Sequence, residues 1–520
     1  MANLSRPALL AALFVLAIAS PSLQAQEKDA KPAEKEKPAE ATPPAPKEES
    51  SITDHTLKIG AQTIPYKATA ATILLKNEKD EPIALVYYTA YTRTDAKDAT
   101  QRPLSFIYNG GPGSASLWLH MGAFGPRRVV TPNAEPTPPP PYKLTDNAGS
   151  LLDKTDMVFI DPVGTGFSHA VGKAQDKDFW GVDEDVKSLA QFVTTYVNRN
   201  NRWNSPKFLI GESYGTFRSA ALSNYLQNTD GMYFNGIVLI SSVLDLGTLS
   251  FRPGDDMPYI FYVPSYAATA WYHKMLPDRP ENETAFIDEA RHFAQTEYAA
   301  ALMKGTRLSA AEKADVAKKL SRFTGLSEDY LIKANLRVKL RQFMEELQRA
   351  RGLTTGRLDA RYSGFTYDLL GEFAEYDPQS SAVTGAVTAA FNSYVRDELK
   401  FGQDKSYHAI TEHVGENWDW KHGSGRGSGF PSSPNVEGDL IEAMLTNPHL
   451  QVEVHNGLYD LATPFFATEY TMEHLGLPDK LQKNIHLQYY DAGHMMYLRD
   501  EDLAKLKNNI AAFIEAAAKQ

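Results

Sequence analysis

The 520-residue chain is 42% hydrophobic and 22% charged, with a formal charge of -11. That is the balance of a soluble globular protein, large enough for two lobes or for one domain with a long insertion. The acidity argues against a nucleic-acid partner, which would need clustered Lys and Arg, and the complete lack of cysteine excludes disulfides, thiolate zinc sites and a thiol nucleophile.

In chain order, Arg6 precedes an apolar run from Ala8 to Ala19, then Ser20, Pro21 and a small residue at Ala25. A charged start, a short apolar core and a small residue at the cut form the pattern of a signal peptide over 1–25. The run is too short for a comfortable membrane span. Export to the periplasm or the medium is therefore expected, with no membrane attachment after signal removal. Residues 26–52 are Lys, Glu, Pro and Ala with almost no apolar content, which predicts a disordered tether.

From 53 to 245 the pattern is α/β. Two β-rich runs flank NEKDEP, predicting an antiparallel pair. Three apolar runs then stop at glycine-rich turns: LSFIYNGGPGS, DMVFIDPVGTGFS and PKFLIGESYGTF. Helical stretches such as VDEDVKSLAQFVTTYVNR separate them, so a mostly parallel sheet is expected, with these loops grouped at its carboxyl edge. Residues 246–436 break the alternation and read as a mainly helical cap insertion, too long for a plain loop. Within it Ser309 and Glu312 are placed for a capping box. SEDYLIKANLRVKLRQFMEELQRAR reads as one long helix, and HGSGRGSGFPSSPN as a return loop. The core resumes over 437–520, with strands in LQVEVHNGLYD and IHLQYYDAGH and a closing helix.

Gly211-Glu212-Ser213-Tyr214-Gly215 lies between a strand and a helix. A serine on such a tight turn is lifted into a cleft at a helix N-terminus, which favours negative charge. The nucleophile needs a base, and the base an orienting acid. Asp460 follows one late strand and His494 the next, 34 residues on, in the order expected of an α/β-hydrolase. Asp491 is too close to His494 to orient its far ring nitrogen, and His455 lies before its loop and reads as structural. His408 and His413 are five apart, off a common helix face, which disfavours a metal pair. Asn109-Gly110-Gly111-Pro112-Gly113 follows an early strand, where such enzymes place half of the oxyanion hole. The N–H groups of Gly111 and Tyr214 are the expected donors.

NGGPGS, DPVGTGFS, GESYG, GLYD and AGHM, in that order, resemble the serine carboxypeptidase family over about 60–515. MPYIFYVPSYAATAWYH and RLDARY are similar to segments of a bacterial branch. The resemblance implies that Glu212, Asn109 and Gly110 grip the C-terminal carboxylate of a peptide, which requires a proton between two carboxyl groups. It implies no metal or organic cofactor. Three positions depart from the pattern: Ile107 replaces a Trp, Ser114 a Cys, and Ala123 of AFGP a second glutamate. With that glutamate missing, His120, Arg127 or Arg128 is expected to help receive the carboxylate, at a less acid optimum. The expected activity is release of C-terminal residues through an acyl-Ser213 intermediate. An esterase or acyltransferase on the same scaffold, and an inactive hydrolase-like binding protein, are the competing readings. Cap aromatics Phe261, Tyr262, Tyr266, Trp271 and Tyr272 either line the specificity pocket or pack the core.

Overall fold

A computed structural model describes residues 46–423 and 433–519. The signal-peptide assignment, most of the tether and the middle of the return loop lie outside the described residues.

Strands β1 (Ser50–Ile59), β2 (Gln62–Lys76) and β3 (Pro82–Arg93) form an antiparallel meander. NEKDEP turns the chain between β2 and β3, where Asn77 Oδ1 accepts the N–H groups of Lys79 and Glu81, each at 3.0 Å. The end of the tether needs correction, because Ser50, Ser51 and Ile52 belong to β1. Continuous pairing with β2, from Ser50 opposite Ala71 to Ile59 opposite Gln62, satisfies backbone that composition alone left unpartnered. Just ahead of it, Glu48 takes two hydrogen bonds from Arg199 at 2.8 and 2.9 Å.

The meander leads into β4 (Leu104–Tyr108), β5 (Asp156–Ile160), β6 (Lys207–Glu212), β7 (Gly236–Ile240), β8 (Gln451–Gly457) and β9 (Ile485–Tyr490). Their spatial order is β1-β2-β3-β5-β4-β6-β7-β8-β9. The pairing of β3 with β5 is antiparallel, and every later one is parallel. Fully apolar strands are buried on both faces, as parallel sheets require. Alternation divides them: Phe208 and Ile210 join one core with the helices Pro378–Asp397 and Asp500–Ala517. Leu209 and Leu239 join another with the helices Val182–Arg199 and Tyr214–Asp230. Register brings Tyr108 beside Gly211, Glu212 beside Ile240, Ile240 beside His455, and Gly457 beside Tyr490. The loops after β4, β6, β8 and β9 therefore open at one carboxyl edge.

The helices between β7 and β8 use their apolar residues in two ways. Those from Met257 to Glu346 pack a core of their own, into which Tyr459, Leu461 and Phe465 reach from the main body. Tyr262 and Tyr266 are buried within this lobe, Phe261 is buried against Phe466 and Tyr470 of the main body, and Tyr272 is exposed. The helix Pro378–Asp397, by contrast, lies in the main core through Val383, Phe391 and Tyr394. Ser309 and Glu312 form the expected capping box at the helix Ala310–Thr324. The single long helix predicted after Ser327 is two, Glu328–Lys333 and Leu340–Glu346. Asn335 and Leu336 interrupt it with φ of 53° and 63°, which a right-handed helix cannot include. Among the described residues, no helix is long and apolar enough to cross a membrane.

Candidate active site

Ser213 stands between β6 and the helix Tyr214–Asp230 with φ 59° and ψ -129°, a strained backbone for a residue with a β-carbon. The turn is secured from below by its N–H, which donates to Ile240 O at 2.9 Å. As the first helical residue, Tyr214 has an N–H ahead of any intrahelical acceptor. The loop after β4 passes directly over it. A β-carbon at Gly110 would collide with the backbone nitrogens of Tyr214 and Gly215, so only glycine permits this approach. Gly111 follows with φ 105°.

Asp460 and His494 meet directly, Nδ1 to Oδ2 at 2.7 Å. Asp460 is completely buried, yet its carboxylate is well supplied with donors. Oδ1 accepts the N–H groups of Ala462 (2.7 Å) and Thr463 (2.9 Å), and Oδ2 the Thr463 hydroxyl at 2.7 Å. Such a carboxylate is fixed in orientation. Burial works against an imidazolium at His494, but the charge and hydrogen bond of Asp460 outweigh it and raise the histidine above its ordinary value. Ser241 Oγ donates to the His494 carbonyl at 2.7 Å. That ties the histidine loop to the residue following Ile240, which holds Ser213.

The rivals take other places. Asp491 is exposed and pairs with Arg499 at 3.6 Å. His455 is fully buried, and its Nδ1 bonds the Tyr490 hydroxyl at 2.8 Å.

Glu212 is 4% exposed. One carboxyl oxygen accepts Asn109 Nδ2 at 2.9 Å, and the other, Oε2, has no hydrogen-bond partner. Burial drives this carboxyl up, and the Asp460 charge adds to the effect. His494, Tyr497 and Asn109 oppose it, leaving the group pushed up to about 7. Asn109 is itself oriented, since Oδ1 accepts Leu119 N at 3.0 Å and its carbonyl accepts Arg218 at 2.7 Å. Arg218 also binds Asp185 at 2.6 Å, both fully buried.

Three supports escaped the sequence reading. Thr463 orients Asp460. Arg218, held between the rings of Tyr108 and Tyr214, positions the glycine loop against the elbow. The third is RLDARY (357–362), which is stitched across the acid and histidine loops. Leu461 N donates to Arg357 O at 3.0 Å, Ala360 N to Tyr459 O at 2.9 Å, and His494 N to Leu358 O at 2.6 Å. At Gly493, a β-carbon would strike the Leu358 carbonyl and the Asp359 backbone. Arginine and threonine outside a motif carry no sequence signal for such work, though the similarity of RLDARY to a segment of a bacterial branch marks that stretch out.

A family model described as serine carboxypeptidase matches residues 74–506. The chain belongs to the serine carboxypeptidase family. It is similar to the pheromone-processing carboxypeptidase KEX1 of Saccharomyces cerevisiae, at 28% identity over 241 residues. That match covers 42% of this chain and 31% of the relative, so the chain spans less than a third of that protein's length. The crystal structure of Kex1Δp, a prohormone-processing carboxypeptidase from Saccharomyces cerevisiae, aligns with a TM-score of 0.55 and 19% identity, over 86% of this chain and 91% of that one. At that identity the likeness speaks for the fold, an α/β-hydrolase.

Measured against the serine carboxypeptidase pattern, the residues expected to compensate for Ala123 do not. His120 is buried, bonded to the Tyr91 hydroxyl at 2.6 Å and stacked on Phe159 at 4.3 Å. Burial lowers it to about 3, so it carries no charge to offer. Arg127 is paired with Asp146 and Glu398, and Arg128 with Asp500. What neighbours Glu212 instead is Tyr497, whose ring lies against Gly122 and whose hydroxyl faces Glu212 and Asn109.

Proposed function

We propose that this chain is an exported serine-type carboxypeptidase that releases single residues from the C-termini of peptides. The observation that carries the reading is Glu212: a buried carboxyl beside Ser213, with one oxygen on Asn109 and the other unpartnered. Held up to about 7 by burial, it keeps its proton in mildly acid solution and gives it up as pH rises through neutrality. A protonated Oε2 donates to a substrate carboxylate, where a bare carboxylate would repel it.

In this mechanism His494 Nε2 accepts the Ser213 proton as Oγ attacks the scissile carbonyl, while the bond to Asp460 stabilises the imidazolium. Charge on the former carbonyl oxygen is received by the N–H groups of Gly111 and Tyr214. His494 then protonates the departing amine, the C–N bond breaks, and an acyl-Ser213 ester remains. Water, deprotonated by the same histidine, hydrolyses it and restores the serine. Asn109 and Gly110 complete the grip with Glu212. No step requires a metal or organic cofactor.

For the full-length chain we propose a signal peptide over 1–25, a tether up to about Ala45, and core segments on either side of the insertion. Incubation of purified protein with a decapeptide, followed by mass spectrometry, tests the activity. A ladder of products shortened one residue at a time from the C-terminus, absent with Ser213→Ala, is expected. Intact peptide alongside turnover of simple esters would instead place the chain with esterases or acyltransferases.

A further inference from the structure

Beyond RLDARY the chain forms a surface loop rich in apolar side chains. Two short strands, Leu353–Thr355 and Ser363–Phe365, pair antiparallel, and RLDARY lies in the turn between them. The chain then runs out through 366–376 and returns to Asp377, which caps the helix Pro378–Asp397 through Ser380 N at 2.8 Å. The ends of this excursion touch. Tyr376 Oη donates to the Phe365 carbonyl at 3.1 Å, and a β-carbon at Gly364 would strike the Tyr376 hydroxyl. Such closure defines an Ω-loop.

Both ends are fastened at the triad. The first emerges from RLDARY, whose backbone bonds the acid and histidine loops. At the second, Asp377 Oδ2 accepts the N–H groups of Arg357 at 2.8 Å and Leu358 at 3.0 Å, and the Leu358 carbonyl accepts His494 N at 2.6 Å. Two residues on, Gln379 Nε2 reaches Met495 Sδ at 3.2 Å. The loop therefore begins and finishes beside the residues that carry the catalytic histidine, at the carboxyl edge of the sheet.

Phe365, Tyr367, Leu369, Leu370, Phe373 and Tyr376 are all exposed, Tyr367 by 88% and Leu370 by 91%. Elsewhere among the described residues exposed large apolar side chains stand singly along the chain, as at Trp203 and Met303. The backbone beneath the six is held. Thr366 N donates to Gly352 O at 3.2 Å, Gly371 N to Asp368 O at 3.1 Å, and Arg349 to the Leu369 carbonyl. A fixed loop that keeps so many apolar groups in water marks a surface for a partner. Charge narrows the choice. Residues 363–377 contain four acids and no base, and Asp368, Glu372 and Glu375 are exposed with no ion pair among the described residues. A second copy docked through the same patch would set these acids against each other, and an anionic lipid surface would repel them.

We propose that this loop binds the upstream part of long peptide substrates, favouring apolar side chains interspersed with Lys or Arg. The inference rests on the carboxypeptidase reading. Only one residue departs in each cycle, so the rest of a long substrate lies on the acyl side and has to run out of the cleft past its rim. A dipeptide ends too soon to reach the loop.

The experiment measures kcat/KM for three decapeptides that share their last two residues. Upstream, one carries Leu, Phe and Lys, the second Leu, Phe and Glu, and the third only Gly and Ser. Wild type is compared with Tyr367→Ser, Leu370→Ser and the pair combined. Wild type is expected to favour the Leu/Phe/Lys peptide over the Gly/Ser one by on the order of ten- to a hundredfold, chiefly through KM. Each single variant shrinks that ratio and the combined variant nearly abolishes it, while the Glu-containing peptide falls between the other two in wild type. Equal kcat/KM for the three peptides in wild type, or an apolar advantage that survives in the combined variant, would overturn the inference and leave the carboxypeptidase reading standing. A dimer in sedimentation that the combined variant dissociates, with the peptide ratio unmoved, would give the surface to a second copy and overturn it too. Failure of wild type to shorten any of the three from the C-terminus would remove the reading, and this inference with it.

Discussion

Glu212 connects stability and function at one carboxyl. Its folded pKa of about 7 lies above the ordinary value, so the folded state holds the proton more tightly than the unfolded chain does. The stabilising contribution is full below about 4.5 and is lost as pH rises through about 7, on the order of 3 kcal/mol in all. Glu212→Gln should remove that dependence: urea unfolding of wild type weakens between pH 5 and 8 more than that of the variant. The same titration should shape catalysis, because the grip needs the protonated carboxyl while the base needs neutral His494, itself raised by Asp460. A profile of kcat/KM peaking near neutrality is expected. A peak at pH 4 to 5 would contradict it. At the acid, Thr463→Val removes the hydroxyl donor to Asp460 Oδ2 and should cost roughly tenfold in kcat, with KM little changed.

At the scale of elements, loops are held to one another by polar contacts that cross the sheet edge. The segment 408–411 staples two glycine-rich loops, through Thr411 N to Gly113 O at 2.8 Å and Gly166 N to His408 O at 2.8 Å. His422 links Asp183 and Asp439 at 2.7 and 2.8 Å, in the first turns of two helices. The hydrogen bond to Asp439 is the main cause that raises it to about 9. Its contribution is therefore full below about 6.5 and lost as pH rises through about 9. His422→Ala should lower Tm at pH 6 by several degrees, and the difference should close by pH 10. The elements themselves were largely legible, since apolar runs ending in NGGPGS, DPVGTGFS and GESYG mark strands leading into functional turns. The break at Asn335 and Leu336 was not, because neither residue is a strong breaker and tertiary packing decided it. Nor were the partners of His120, Arg127 and Arg128, since nearness along the chain does not say which way a side chain points.

In the whole molecule the long insertion is both lobe and foundation. Helices from Met257 to Glu346 enclose their own core, whereas Phe391, 1% exposed, packs in the main one against Tyr407 at 4.2 Å. Phe391→Ala should therefore cost about 3–5 kcal/mol of global stability, read as a shift in the urea midpoint of a single transition. The sequence could place the insertion but not divide it, because periodicity records an apolar face and not its partner. The same division accounts for the site, as the segment between lobe and foundation is RLDARY, laid across Asp460 and His494. The central claim is that Glu212 grips a substrate carboxylate beside Ser213, and the most direct test is the ratio of kcat/KM for a blocked dipeptide to that for its C-terminal amide, measured from pH 5 to 9. A strong preference for the free acid that fades above about pH 7, with the fading abolished in Glu212→Gln, is the predicted result. Equal or better turnover of the amide throughout would contradict it.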